Sequence, residues 1–220
     1  MDTTTTVRLF SDGCGRQNRN KTVIVMILHW FLLEAPLHIE KIEIWLPIVE
    51  HSFISTDRIF GHLERVFHSR SVIETPDEYV KVIKKHGTVT HLGEDYPVKD
   101  WKTCADEMLR NPATWYFQFQ KAKKIVVTNS KTNTFALVCG EPFYNFESGQ
   151  PKSLCKRGKT FRHTQIPDVP KGVPLKPVKF CDVKRLLVLH FGEEWDNNPK
   201  LEFFKNVFEE ESFPTEGRRE

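Results

Sequence analysis

The stretch Thr22 to Leu33 is the longest apolar run in the chain, about a dozen residues broken by His29, and it constrains the fold more than any other feature. It falls well short of the roughly 20 residues needed to span a bilayer, so it reads as a buried helix rather than a membrane segment. A helix that is apolar on most of its surface must be covered on most of its surface. The flanking sequence supplies the cover. Val7 to Phe10 reads as a short strand closed by the turn pair Asp12-Gly13. Ile39 to Val49 alternates through Ile39, Ile42, Ile44, Leu46 and Ile48, and reads as a second strand. Asn18 or Asn20 caps the intervening helix, placed at about 19–34, and Pro36 stops it. Two strands joined by a crossover helix of this length pair in parallel. Pro47 makes the second an edge strand or bends it near its end.

Ser55 or Thr56 caps a further helix, whose apolar positions Ile59, Phe60, Leu63, Val66 and Phe67 recur at steps of three and four. A shorter helix follows at about 76–86, with Thr75 as cap, Pro76 in its first turn and Gly87 as stop. Residues 1–87 thus read β-α-β-α-α, an α/β fold with helices against the sheet. A short helix at about 99–110 ends at Asn111-Pro112. Strand-forming runs come next at Thr114 to Phe119, Lys124 to Thr128 and Thr134 to Val138, the last two separated by the hairpin-like Asn129 to Asn133. Residues 148–177, rich in proline and lysine, read as irregular chain, and Asp182 to Phe191 as a last helix ended by Gly192.

Hydrophobic residues make up 39% of the chain and charged residues 28%, which excludes a disordered or collagenous polymer. Met1-Asp2 and the Thr run after it carry neither a basic region nor an apolar one, so the expected location is intracellular, with no membrane partner. Five widely spaced cysteines without a C-x-x-C pair argue against a disulfide framework or a zinc knuckle. The formal charge of +3 hides a segregation: residues 115–192 carry 14 basic and 4 acidic side chains, residues 193–220 carry 4 and 9. In the basic block Lys121, Lys123, Lys124, Lys156, Arg157, Lys159 and Arg162 are interleaved with Phe143, Tyr144 and Phe161. That pattern suits contact with a phosphate backbone without readout of base sequence, and equally a solvated lysine-rich surface. Trp115, Tyr116, Phe117 and Phe119 read as sheet core before they read as a base-stacking platform. Cys14 reads as a small buried residue, and His62 and His68 as surface histidines.

Asp12 follows the first strand, and Asp57 sits in the first turn of the helix after the second. In a parallel α/β sheet both positions open on one crevice at the carboxyl ends of the strands. Glu64 is two helical turns beyond Asp57, and Glu50-His51 ends the second strand. Converging carboxylates hold Mg²⁺ or Mn²⁺ for phosphoryl transfer. An Asp at a helix start also serves simply as a cap against the helix dipole.

The residues themselves carry a resemblance. Phe10-Ser11-Asp12-Gly13-Cys14-Gly15-Arg16-Gln17-Asn18-Arg19-Asn20 resembles the F-S-D-G-C-G-G-Q-N-K-N motif of a transposon-derived family similar to the DDE transposases, whose fold is RNase H-like. The block from Glu50-His51-Ser52-Phe53 through Asp57-Arg58-Ile59-Phe60-Gly61 to Glu64 resembles that family's G-H-S-F-x-x-x-D-R-x-F-G-x-I-E. Looser similarity extends through Pro76 to Tyr79, Asp100-Trp101-Lys102 and Lys156 to Lys159. The resemblance implies that Asp12 is the second acid of a catalytic triad, that Asp57 is the third with Glu64 in support or as its alternative, and that His51 lies beside the metals. It also implies Mg²⁺ or Mn²⁺ held by Asp12 and Asp57, a DNA substrate and a nuclear location.

Two departures point to impaired catalysis. Glu50 replaces the family's Gly beside His51, and only eleven residues precede Asp12, too few for the strands that carry the first acid in an RNase H-like fold. The expected organisation is therefore a partial RNase H-like domain at 1–98, a connecting helix at 99–113, a basic β-rich domain at 114–192 and an acidic tail at 193–220. Strand 7–10 is expected to leave one edge unpaired, open to self-association. The functional expectation is a DDE transposase-like protein impaired in DNA phosphoryl transfer; the alternative is a non-catalytic DNA- or chromatin-binding module that uses the basic block.

Overall fold

A computed structural model describes residues 4–11, 18–47, 55–70, 73–130, 135–169 and 176–210. Among them the chain is mixed α/β, with one four-stranded sheet and six α-helices. The strands are β1 (Thr6–Phe10), β2 (Lys41–Trp45), β3 (Lys124–Asn129) and β4 (Ala136–Glu141), adjacent in that order. β1 and β2 run parallel, in the register Val7 opposite Ile42 and Phe10 opposite Trp45. The two later pairings are antiparallel. The crossover between β1 and β2 is α1 (Lys21–Leu33), capped by the Asn20 side chain, which accepts from the Val23 amide at 3.0 Å. Its buried residues Ile24, Val25, Leu28 and Phe31 join Ile42, Ile44, Ile125, Val127 and Val138 of the sheet in one core. α4 (Trp101–Met108), capped by Asp100, adds Cys104, Ala105 and Met108 to it.

The chain divides into two compact units. One comprises residues 1–55 with 98–169, the other 56–97 with 170–220. This differs from the boundaries expected at 98 and 114. β3 pairs with β2, so the strands assigned to a separate basic domain complete the first sheet instead. The reason lies in β2 itself: Ile42, Glu43 and Ile44 are all buried, and an interior strand needs a ladder on both sides. β2 is accordingly not an edge strand, and it ends two residues short of Pro47. β1 does lie at the edge of the sheet, as expected, with Arg8, Leu9 and Phe10 exposed.

Residues 114–119, expected as a strand, take another form. The segment makes two 3-10 turns, Pro112–Thr114 and Phe119–Lys121, and its amides bond locally, Trp115 to the Pro112 carbonyl and Lys121 to the Gln118 carbonyl. Ring packing decides this: Trp115 sits 4.6 Å from Phe119 and 5.7 Å from Phe117, a cluster that an extended chain cannot close.

The second unit is helical. It holds α2 (Ser55–His68), α3 (Pro76–Ile83), α5 (Pro177–Phe191) and α6 (Glu202–Glu210). Thr75 caps α3 and Gly192 ends α5, both as expected. α6 forms within the segment read as an acidic tail. Its apolar residues Phe204 and Phe208 pack with Leu187, Trp195 and Leu201, and the Phe180 and Phe208 rings lie 4.2 Å apart. Lys200 is 3.0 Å from Glu74, between the two sequence segments of the unit. On α2 Leu63 is buried, but Ile59 and Phe60 are exposed.

Candidate nucleic-acid interface

The basic block is organised around one turn. Residues 152–156 are pinned on two sides: Lys152 and Val138 exchange both backbone hydrogen bonds at the edge of β4, and the Lys156 amide donates to the Met108 carbonyl at the end of α4. The chain then reverses over Lys156 to Lys159, closed by a 3.1 Å bond from the Lys159 amide to the Lys156 carbonyl. Gly158 takes φ 78°, the left-handed conformation that a side chain disfavours. Lys156, Arg157 and Lys159 therefore project from a fixed base, and all three are exposed. Two cations outside the expected set join them. Lys21 of α1 is ion-paired with Asp106 of α4, and Lys156 Nζ donates to the Asp106 carbonyl at 2.7 Å. The hydrogen bond from Lys21, with Lys102 and Lys156 nearby, holds the Asp106 carboxyl below its ordinary value. Lys21 and Lys102 lie in a part of the sequence where acids and bases balance, so no local charge excess marks them.

The other expected contacts are distributed differently. Lys121 ends the second 3-10 turn and is exposed, Lys123 is half-buried, and Arg162 is exposed in a separate 3-10 turn at Phe161–His163. Lys124 does not face solvent. Its side chain is 3% exposed, its ammonium lies 5.7 Å from the Trp45 ring centroid and 3.6 Å from Glu147, so it belongs to the sheet rather than to a DNA-binding surface.

Of the expected acidic site, Asp12 and His51 lie outside the described residues, as do Cys14 and Glu50. Asp57 and Glu64 are both on α2 and exposed. Seven residues of helix separate them by about 10 Å along the axis, too far for both carboxylates to ligate one ion. Glu64 instead lies 3.7 Å from His68, one turn on. Among the described residues no three His, Cys, Asp or Glu side chains gather as a metal ion requires.

The face of the sheet that carries Arg8, Phe10, Lys41, Glu43, Trp45, Lys124 and Glu141 holds a polar network that the alternation of β2 implied but that charge counting missed. Burial pushes the Glu43 carboxyl up, but Lys41, Arg8 and Trp45 Nε1, bonded to it at 2.8, 2.9 and 3.2 Å, bring it down to about 2. Phe10, Trp45 and Tyr144 stack in sequence at 5.9 and 5.5 Å, and the Tyr144 hydroxyl donates to the Leu46 carbonyl. The described cysteines are free thiols, and burial raises Cys104, Cys139 and Cys155, which suits packing rather than nucleophilic chemistry.

A family model described as a domain of unknown function, DUF7869, matches residues 3–135, more than half of the chain. The chain belongs to the DUF7869 family. The DUF7869 match takes in β1, α1, β2, α4 and β3, and stops one residue before β4. It covers most of the sheet and the helices on its core face, but not the Lys156–Lys159 turn. No curated protein and no solved structure matches this DUF7869 chain. No described helix is long and apolar enough to cross a membrane.

Proposed function

We propose that this DUF7869 protein is a nuclear DNA-binding protein of DDE-transposase descent that holds the phosphate backbone through its basic surface. The observation that carries the reading is the turn Lys156–Lys159, whose three exposed cations stand on a base hydrogen-bonded to β4 and to the end of α4, with Lys21 and Lys102 nearby. Cations on an already ordered turn cost less backbone entropy when they meet phosphates than cations on free chain. The descent is supported by the resemblance of residues 10–20 and 50–64 to the two motifs of that family.

The test is equilibrium binding of a labelled duplex across a salt series. Lys156→Gln, Arg157→Gln and Lys159→Gln together should weaken binding and reduce the slope of log affinity against log salt by about 2–3, one phosphate contact being worth roughly 0.9. Unchanged affinity and slope would remove the reading.

A second reading, metal-dependent phosphoryl transfer, is favoured by one observation. β1 and β2 are parallel, and the Ser11 amide bonds to the Trp45 carbonyl at 3.2 Å where the chain leaves β1, so the carboxyl ends of the two strands adjoin. Calorimetric titration of Mg²⁺ into wild type and an Asp12→Asn, Asp57→Asn variant tests it. Binding by wild type alone supports it, and identical behaviour ends it.

A further inference from the structure

The two 3-10 turns of residues 112–121 curl around a recess of about 600 Å³ that opens to solvent. Its lining has three kinds of chemistry. Trp115, Tyr116 and Phe117 supply aromatic rings, Gln118 and Gln120 supply amides, and Lys121 supplies an ammonium; among the described residues no carboxylate borders it. A second cavity of about 270 Å³ adjoins through Phe117, Gln118 and Lys121, and reaches Gly140 on β4. The Phe117 ring lies where a Cβ on Gly140 would come within 2.1 Å of it, so the glycine is what admits the ring.

Two cations stand over the Tyr116 ring. The Arg110 guanidinium and the Lys152 ammonium stand 4.7 and 4.5 Å from the Tyr116 ring centroid, and Arg110 donates to the Tyr116 hydroxyl at 2.7 Å. Tyr116 keeps 52% of its surface exposed beside these two cations. Arg110 also donates to the Ser153 carbonyl, while its buried Nε has no hydrogen-bond partner among the described residues.

Rings, amides and cations with no acid among them select an anion that carries a flat ring with a hydrogen-bonding edge. A nucleotide has that composition. Each glutamine amide presents a donor group and an acceptor, which suits the edge of an unpaired base. A base within a duplex offers neither its stacking face nor that edge, so the occupant is unpaired. We propose that the recess of residues 112–121 seats one unpaired nucleotide of a single strand, its base against Phe117, its edge toward Gln118 and Gln120, and its phosphate beside Lys121. The proposal rests on the backbone-binding reading above and adds a contact that reading does not contain.

The test compares an oligothymidylate with an abasic oligomer of equal length and charge, both bound to the full chain and followed by anisotropy. Phosphate contacts are common to the two ligands, and only the first has bases. The oligothymidylate should bind about tenfold tighter, the effect of one stacked base. Phe117→Leu, and Gln118→Ala with Gln120→Ala, should each reduce that ratio toward one and leave abasic binding unaltered. Gln118 and Gln120 are exposed and Phe117 is half-buried, and circular dichroism checks that the variants fold. Equal affinity of the two ligands for wild type would overturn the nucleotide site while leaving the backbone reading intact. A ratio that survives both variants would also overturn it, by placing the base elsewhere. Binding of neither ligand would overturn the nucleotide site, while the duplex titration above decides the backbone reading separately. Binding of the oligothymidylate alone would support the site and count against the backbone reading.

Discussion

The two faces of the single sheet follow opposite rules. On one, Ile42, Ile44, Ile125, Val127 and Val138 meet α1 and α4 in an apolar core. On the other, Glu43, Lys124 and Glu141 are each no more than 4% exposed, yet all three carry ionisable side chains. Cover on the second face comes partly from the segment after β4: Tyr144 stacks on Trp45, and the Gly149 amide donates to Glu141 at 2.8 Å. Toward β1 that cover stops, and Arg8 and Phe10 are exposed. The apolar face is held by burial, which needs no partner geometry. The polar face is held only as long as each desolvated group keeps its hydrogen bonds. The same strands can therefore be robust on one side and conditional on the other.

Substitutions sharpen or break that contrast. Ile42→Ala, at a fully buried position of the central strand, should cost about 2–5 kcal/mol in urea unfolding, because the cavity adds to the lost transfer energy. Glu43→Gln should cost about 2 kcal/mol, with a signature that the core change lacks. The Glu43 carboxyl is held at about 2, below the ~4.3 of an unfolded Glu, so its contribution is complete above that range and disappears as pH falls toward 2. Wild-type stability should fall through that window more steeply than that of the variant, and parallel curves would deny the network its role. Gly140→Ala displaces the Phe117 ring from β4 and should cost about 1–3 kcal/mol by overpacking. Lys124→Met should change stability by less than about 1 kcal/mol, since a buried ammonium paired at 3.6 Å repays little of its desolvation. A loss above roughly 2 kcal/mol there would show that charge, not packing, holds the second face.

Where local pattern alone determines structure, the sequence was legible. The alternation around Ile42 and Ile44, the caps at Asn20 and Thr75, the crossover helix and the neighbouring strands β3 and β4 are local signals, and the corresponding elements form. The unit boundaries were not legible, because β3 joins β2 across a long stretch of chain and no periodicity encodes which strand a strand will pair with. The aromatic run 115–119 misled for a related reason: alternating rings suit a strand, but these rings found one another. Charge clustering identified the Lys156 turn but included Lys124, since only burial separates a solvated lysine from one beneath Trp45. It missed Lys21 and Lys102, which the packing of α1 on α4 brings together.

The order of strands in the sheet has a consequence for synthesis. β2 leaves the ribosome about 80 residues before β3, the partner that completes its ladder. At roughly 5–20 residues per second the delay is about 4–16 s. Throughout it β1, α1 and β2 have emerged with one flank of β2 open and Glu43 already between two isoleucines. Residues 56–97 of the other unit are made in the same interval. The nascent chain must therefore carry a half-built sheet past a helical insertion, and a chaperone that shields β2 during those seconds would raise the yield of folded protein more than one acting after release.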